Sequence, residues 1–140
     1  MKRTNSFLFA MAMVASSAFG QQQIEVFTQS ATTFDSVPGF DVHHYDLSEP
    51  ERVKKLYAPQ LPANETLALA QAKSFFETAA GKSYMAAMRE SYRGREKMLQ
   101  YQLAKIPAIV FEEGRYVIYG STDLVQAIAL YQHYVQDRLE

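Results

Sequence analysis

The segment "KIPAIVFEEGRYVIYGSTDLVQAI", Lys105 to Ile128, constrains the fold more than any other stretch of the chain. "PAIVF" is apolar throughout, as a strand covered on both faces should be. "EEG" is a short connection in which Gly114 can take a positive φ, and "RYVIYG" supplies the antiparallel partner strand. Gly120 ends that strand, Ser121 or Thr122 is placed to cap a following helix, and Asp123 falls in its first turn. Leu124, Ala127, Ile128, Tyr131 and Val135 then recur at helical spacing and predict a buried stripe. Pro107 opens the first of the two strands, where its missing N–H does no harm.

The N-terminus reads as a targeting segment. "MKRTN" is a positive leader, "SFLFAMAMVASSAF" is an apolar run too short to span a bilayer comfortably, and Ala18 and Gly20 are the small residues before a cleavage point at Gln21. Residues 1–20 are therefore expected to be a signal peptide. Residues 21–140 are expected to form one domain in the exported compartment, the periplasm, with no stable membrane span after cleavage. Small exported domains usually carry disulfides. This chain has no cysteine, which excludes disulfides, thiolate nucleophiles and Cys-ligated metals. With 48% hydrophobic residues it has enough apolar surface for a packed core without such staples.

"IEVFT" (Ile24 to Thr28) predicts the first strand and "FDVHHYDL" (Phe40 to Leu47) the second. About a dozen residues separate them, barely enough for a parallel crossover, so any helix there is expected to be short. Ser48 is a candidate N-cap for a helix carrying Pro50 in its first turn, and Asn64 caps a second. In that second helix Leu69, Ala72 and Phe76 share a face. Gly81 is expected to separate it from a longer helix, Ser83 to Ala104, with Met85, Met88, Tyr92, Leu99 and Leu103 along one side and a kink or close backbone approach at Gly94. A parallel βαβ unit followed by an antiparallel hairpin and a helix resembles the connectivity of a thioredoxin-like sheet. The expected fold class is thus α/β, thioredoxin-like, with a four-stranded mixed sheet, flanking helices and an enlarged helical insert between strands 2 and 3.

That topology gives Pro107 a sharper meaning. In thioredoxin-like proteins the proline follows a cis bond, here Ile106–Pro107, and the adjoining backbone pairs with extended peptides. The position facing it is "FTQSATT", where a redox member carries C-x-x-C and this chain has Gln29, Ser30 and Thr32. Ser and Thr do not exchange disulfides, and as nucleophiles they need a positioned base. The candidate binding residues are therefore Ile106, Pro107, Gln29, Ser30 and Thr32. No catalytic residue, cofactor or metal is assigned.

Two other clusters have competing readings. In "DVHHYD", His43 and His44 point to opposite faces of a strand, so a metal would have Asp41 with His43 or His44 with Asp46 and would still lack ligands. "RESYRGREK" (Arg89 to Lys97) could meet an acidic partner, DNA phosphates or anionic lipid, but Glu90 and Glu96 interleave it as on a solvated helix face. The net charge of −1 argues against nucleic acid as the partner.

"IEVFT", "YDL" at Tyr45 to Leu47, "LP" at Leu61-Pro62, Tyr92-x-Gly94 and "KIPAIVF…RYVIYGSTD" together resemble a family of small exported proteins encoded in integrating conjugative elements of bacteria. The resemblance implies a thioredoxin-like fold and a periplasmic accessory role in conjugative DNA transfer, beside a type IV secretion-like apparatus. The expectation is a non-enzymatic protein that binds a protein partner of that apparatus. Its alternatives are a periplasmic hydrolase using Ser/Thr with His43 or His44, and a DNA- or membrane-contacting protein using Arg89 to Lys97. The sequence sets no oligomeric state.

Overall fold

The computed structural model describes residues 22–138; the signal peptide expected at residues 1–20 lies outside them. Strand β1 (Gln22–Thr28) pairs in parallel with β2 (Phe40–Asp46) on one side and antiparallel with β3 (Ala108–Phe111) on the other. β3 continues into the antiparallel β4 (Tyr116–Tyr119), giving the sheet order β2-β1-β3-β4. Helices α1 (Glu49–Tyr57), α2 (Glu65–Glu77), α3 (Ala79–Ser91) and α4 (Arg93–Gln100) lie between β2 and β3, and α5 (Leu124–Gln136) follows β4. The chain is therefore a mixed α/β protein built on a four-stranded mixed sheet.

Both faces of the central strands are covered, which explains why their residues are apolar without strict alternation. On one face Ile24, Val26, Ile109 and Phe111 meet Leu124, Ala127, Ile128 and Tyr131 of α5, the stripe expected from the sequence. On the other, Phe27, Ala108 and Val110 pack with Leu47 and Leu103, flanked by Met98 and Tyr101. Phe27 and Phe111 are fully buried, each contributing about 1.5–3 kcal/mol of transfer free energy. Their rings stack on Tyr45 at 5.1 Å and on Tyr131 at 4.4 Å.

Several local expectations are corrected. Residues 29–39 contain no helix; the crossover is an extended loop whose Phe34 and Val37 pack on the α5 side of the sheet. The break between the second and third helices is at Thr78, not Gly81, because the Thr78 hydroxyl accepts from the Gly81 N–H and caps α3. The long helix is two helices divided at Tyr92 and ends at Gln100, before Gln102 adopts φ 52°. Asp123, rather than Ser121 or Thr122, caps α5 by accepting from the Gln126 N–H. Ser48 stands at the start of α1, but its hydroxyl donates to Asp46 instead of capping. Asn64 does cap α2.

At Gly94 the close approach is real. A Cβ there would lie 2.9 Å from Tyr45 Cβ and 3.1 Å from Leu47 Cδ2, so only glycine lets α4 sit against the end of β2. α4 is further fixed by charge. Glu25, on the α4 face of β1, is 2% exposed. Lys97 Nζ lies 3.3 Å from its Oε1, and the Tyr45 hydroxyl donates to the same oxygen at 3.3 Å. Lys97 also donates to the Tyr101 hydroxyl at 2.8 Å. That bond and the Glu25 carboxylate hold the ammonium well above the usual lysine range despite partial burial.

The apolar faces read along α2, α3 and α4 are not all core. Leu103 is buried, but Leu69, Met85 and Leu99 are 72%, 48% and 78% exposed. Periodicity marks a face; it does not say what covers it.

Candidate binding recess

β1 and β2 run parallel and end together at Thr28 and Asp46, and the Leu47 N–H donates to the Thr28 carbonyl at 2.8 Å. The chain then turns away through Gln29 and Ser30, leaving a hollow at the carboxyl end of β1. β3 begins beside that hollow in the antiparallel sense, with Phe27 opposite Ala108. Ile106 and Pro107 therefore arrive next to Thr28. The result is an open recess of about 410 Å³ lined by Thr28, Gln29, Ser30, Thr32, Ile106, Pro107 and Thr122. All five candidate binding residues line it.

The Ile106–Pro107 peptide bond is cis, as expected. The Pro107 carbonyl accepts from the Gly120 N–H at 2.9 Å, which locks the base of the hairpin. Ile106 is half-buried and its side chain packs on the α4-side core. Its backbone N–H and C=O make no hydrogen bond among the described residues. The facing Gln29, Ser30 and Thr32 are exposed. Every polar lining group is uncharged, so the recess presents amide, hydroxyl and backbone groups around an apolar floor.

A hydrogen-bonded turn shapes the other wall. The Thr28 hydroxyl donates to the Ser30 carbonyl at 2.9 Å, and the Ser30 N–H points back at that hydroxyl at 3.4 Å. His44 Nε2 is 2.7 Å from the same oxygen. With the hydroxyl proton committed to the Ser30 carbonyl, the imidazole is the donor in this contact. Phe34 packs edge-on against the His44 ring at 5.0 Å. Burial lowers the His44 pKa, against the opposing pull of Asp46 and Glu49.

Sequence reasoning missed two of the lining residues, Thr28 and Thr122, and the Thr28–His44 contact. The contact follows from register. His44 sits across from Val26, and Thr28 is its diagonal neighbour on the same face.

The hydrolase reading required His43 or His44 within reach of Ser30 or Thr32. The hydroxyls of Ser30 and Thr32 bond each other at 2.8 Å, His43 bonds Asp41 at 3.0 Å, and His44 reaches the hydroxyl of Thr28. His43 and His44 do lie on opposite faces, and no group of three metal-ligating side chains occurs among the described residues.

The basic stretch is largely neutralised by the chain itself. Arg93 pairs with Glu90, Lys97 with Glu25, and Arg95 with Glu51 at 2.6 Å while also donating to the Leu47 carbonyl at 3.0 Å. Among the described residues no helix is long and apolar enough to cross a membrane.

Residues 21–137 match the family described as "Protein of unknown function (DUF1525)", and the chain belongs to that family. No curated protein and no solved structure gives a significant match.

Proposed function

We propose that the protein is a non-enzymatic periplasmic accessory of an integrating conjugative element, which supports conjugative DNA transfer and type IV secretion assembly by binding an extended segment of a partner protein. The recess at Ile106–Pro107 is the observation that carries the binding part of this reading. It pairs an unbonded backbone N–H and C=O with the uncharged donors and acceptors of Gln29, Ser30, Thr32 and Thr122. Such a surface suits a peptide backbone, which brings alternating N–H and C=O groups and no net charge. No charged side chain lines it.

Support for a thioredoxin-like fold comes from the strand order, the parallel β1–β2 pair, the antiparallel β3–β4 hairpin opened by Pro107, and α5 packed behind it. In that reading α1 to α4 are the enlarged helical insert between the second and third strands. The conjugative setting and the periplasmic location rest on the sequence resemblance and the leader segment.

The test is photocrosslinking from position 29 or 106 in cells carrying the element, with position 89 as a surface control. The expected result is one partner, captured from both positions through the same segment. Adducts from position 89 alone, or different proteins from 29 and 106, overturn the proposal.

A further inference from the structure

α2 has thirteen residues, and none of them is buried. Ala68, Ala72 and Phe75 are half-buried along the side toward α3, where Phe75 meets Tyr84. The side away from that contact is open: Leu69 is 72% exposed, and Phe76, which also stacks on Tyr84 of α3, is 41% exposed. Large side chains left in water two turns apart on one helix mark a contact surface.

The charges on this side have a pattern. Glu65, Leu69 and Lys73 follow at four-residue intervals, so they lie along one face with Leu69 midway between opposite charges. Neither Glu65 nor Lys73 has an oppositely charged group within 4 Å among the described residues. The face is thus its own complement. A second α2 laid antiparallel across it, with a two-fold axis at Leu69, brings Glu65 of each copy to Lys73 of the other.

A parallel pairing would set Glu65 against Glu65 and Lys73 against Lys73. It would also align the two helix dipoles, whereas the antiparallel one opposes them. Glu65 and Lys73 are about 12 Å apart along the helix, and helices pack with axes about 8–10 Å apart, within reach of both side chains.

We infer that the protein self-associates as a two-fold dimer through antiparallel α2 helices centred on Leu69, held by reciprocal Glu65–Lys73 pairs. α2 contributes no residue to the recess at Ile106.

Sedimentation velocity of the purified protein over a concentration series tests this. A reversible monomer–dimer equilibrium is expected. Glu65→Lys and Lys73→Glu should each weaken it at least about tenfold. The double variant should return within about threefold of wild type, and the two single variants mixed should form a heterodimer. Lys73→Glu leaves the helix N-terminus untouched, and far-UV circular dichroism confirms that each variant keeps its helices. A protein monomeric into the millimolar range overturns the inference. So does a dimer indifferent to both single substitutions, or a double variant no better than its parents.

Discussion

Lys97→Met isolates the electrostatic anchor between α4 and the sheet. Methionine keeps the length and apolar stem of lysine but leaves the 2%-exposed Glu25 without its cation. Removing one partner of a fully buried ion pair typically costs about 3–5 kcal/mol. Two features reduce that here. The Lys97 side chain is 34% exposed, so water already screens the pair. Glu25 also retains the Tyr45 hydroxyl as a donor. The expected loss is therefore about 2 kcal/mol, read as a lower urea midpoint at unchanged m-value. Glu25→Gln in the Lys97→Met background removes the orphaned charge and should restore most of the stability, because a neutral amide is far cheaper to bury than a carboxylate. A loss below about 0.5 kcal/mol in the single variant would refute the anchor, since that is the range of ordinary surface substitutions. A double variant as unstable as Lys97→Met would show that the lost donor to the Tyr101 hydroxyl, not the orphaned Glu25 charge, sets the cost.

Gly94→Ala should destabilise by about 1–3 kcal/mol, because the new Cβ meets Tyr45 and Leu47; an unchanged thermal midpoint would contradict that close approach. Stability should also fall on acidification in two stages. His44 has a folded pKa below 6.5, so the unfolded chain takes up its proton first, and stability is lost as the pH falls from that value toward the folded one. His44→Gln should abolish this first stage in urea titrations. Asp46 is raised by burial but lowered on balance by Arg52 and Ser48, so its contribution is present above 3.8 and lost as the pH falls through its folded pKa. Asp46→Asn should lose that second stage, and a urea midpoint constant across the acidic range would exclude both.

The parts of the fold that sequence reveals here are those decided by neighbours in the chain. The β3–β4 hairpin and α5 were legible because apolar runs, Gly114 and Gly120 act locally. The left-handed φ of Glu112 and Glu113, 49° and 54°, was not, since nothing in either side chain asks for it. The crossover at residues 29–39 sits at the length where a short helix and an extended loop are both feasible, and packing of Phe34 and Val37 decides for the loop. In the recess, Ile106, Pro107 and the Gln29–Thr32 turn were found by topology. Thr28 and His44 required the strand register, which a separation of sixteen positions conceals. The α2 face shows the converse: Leu69 and Phe76 share an apolar face by period, yet both are exposed.

The sheet order has a consequence for how the chain comes together. β1 is the first strand made and the one on which the sheet is centred, yet its antiparallel neighbour β3 lies beyond all four intervening helices. A chain delivered N-terminus first, from a ribosome or through a pore, can form β1–β2 and those helices early, but it cannot shut either face of the sheet over a complete core. Closing so large a loop is entropically costly and slow. The polypeptide should therefore stay loosely assembled and threadable until its last third emerges, and then close around Phe27 and Phe111 at once.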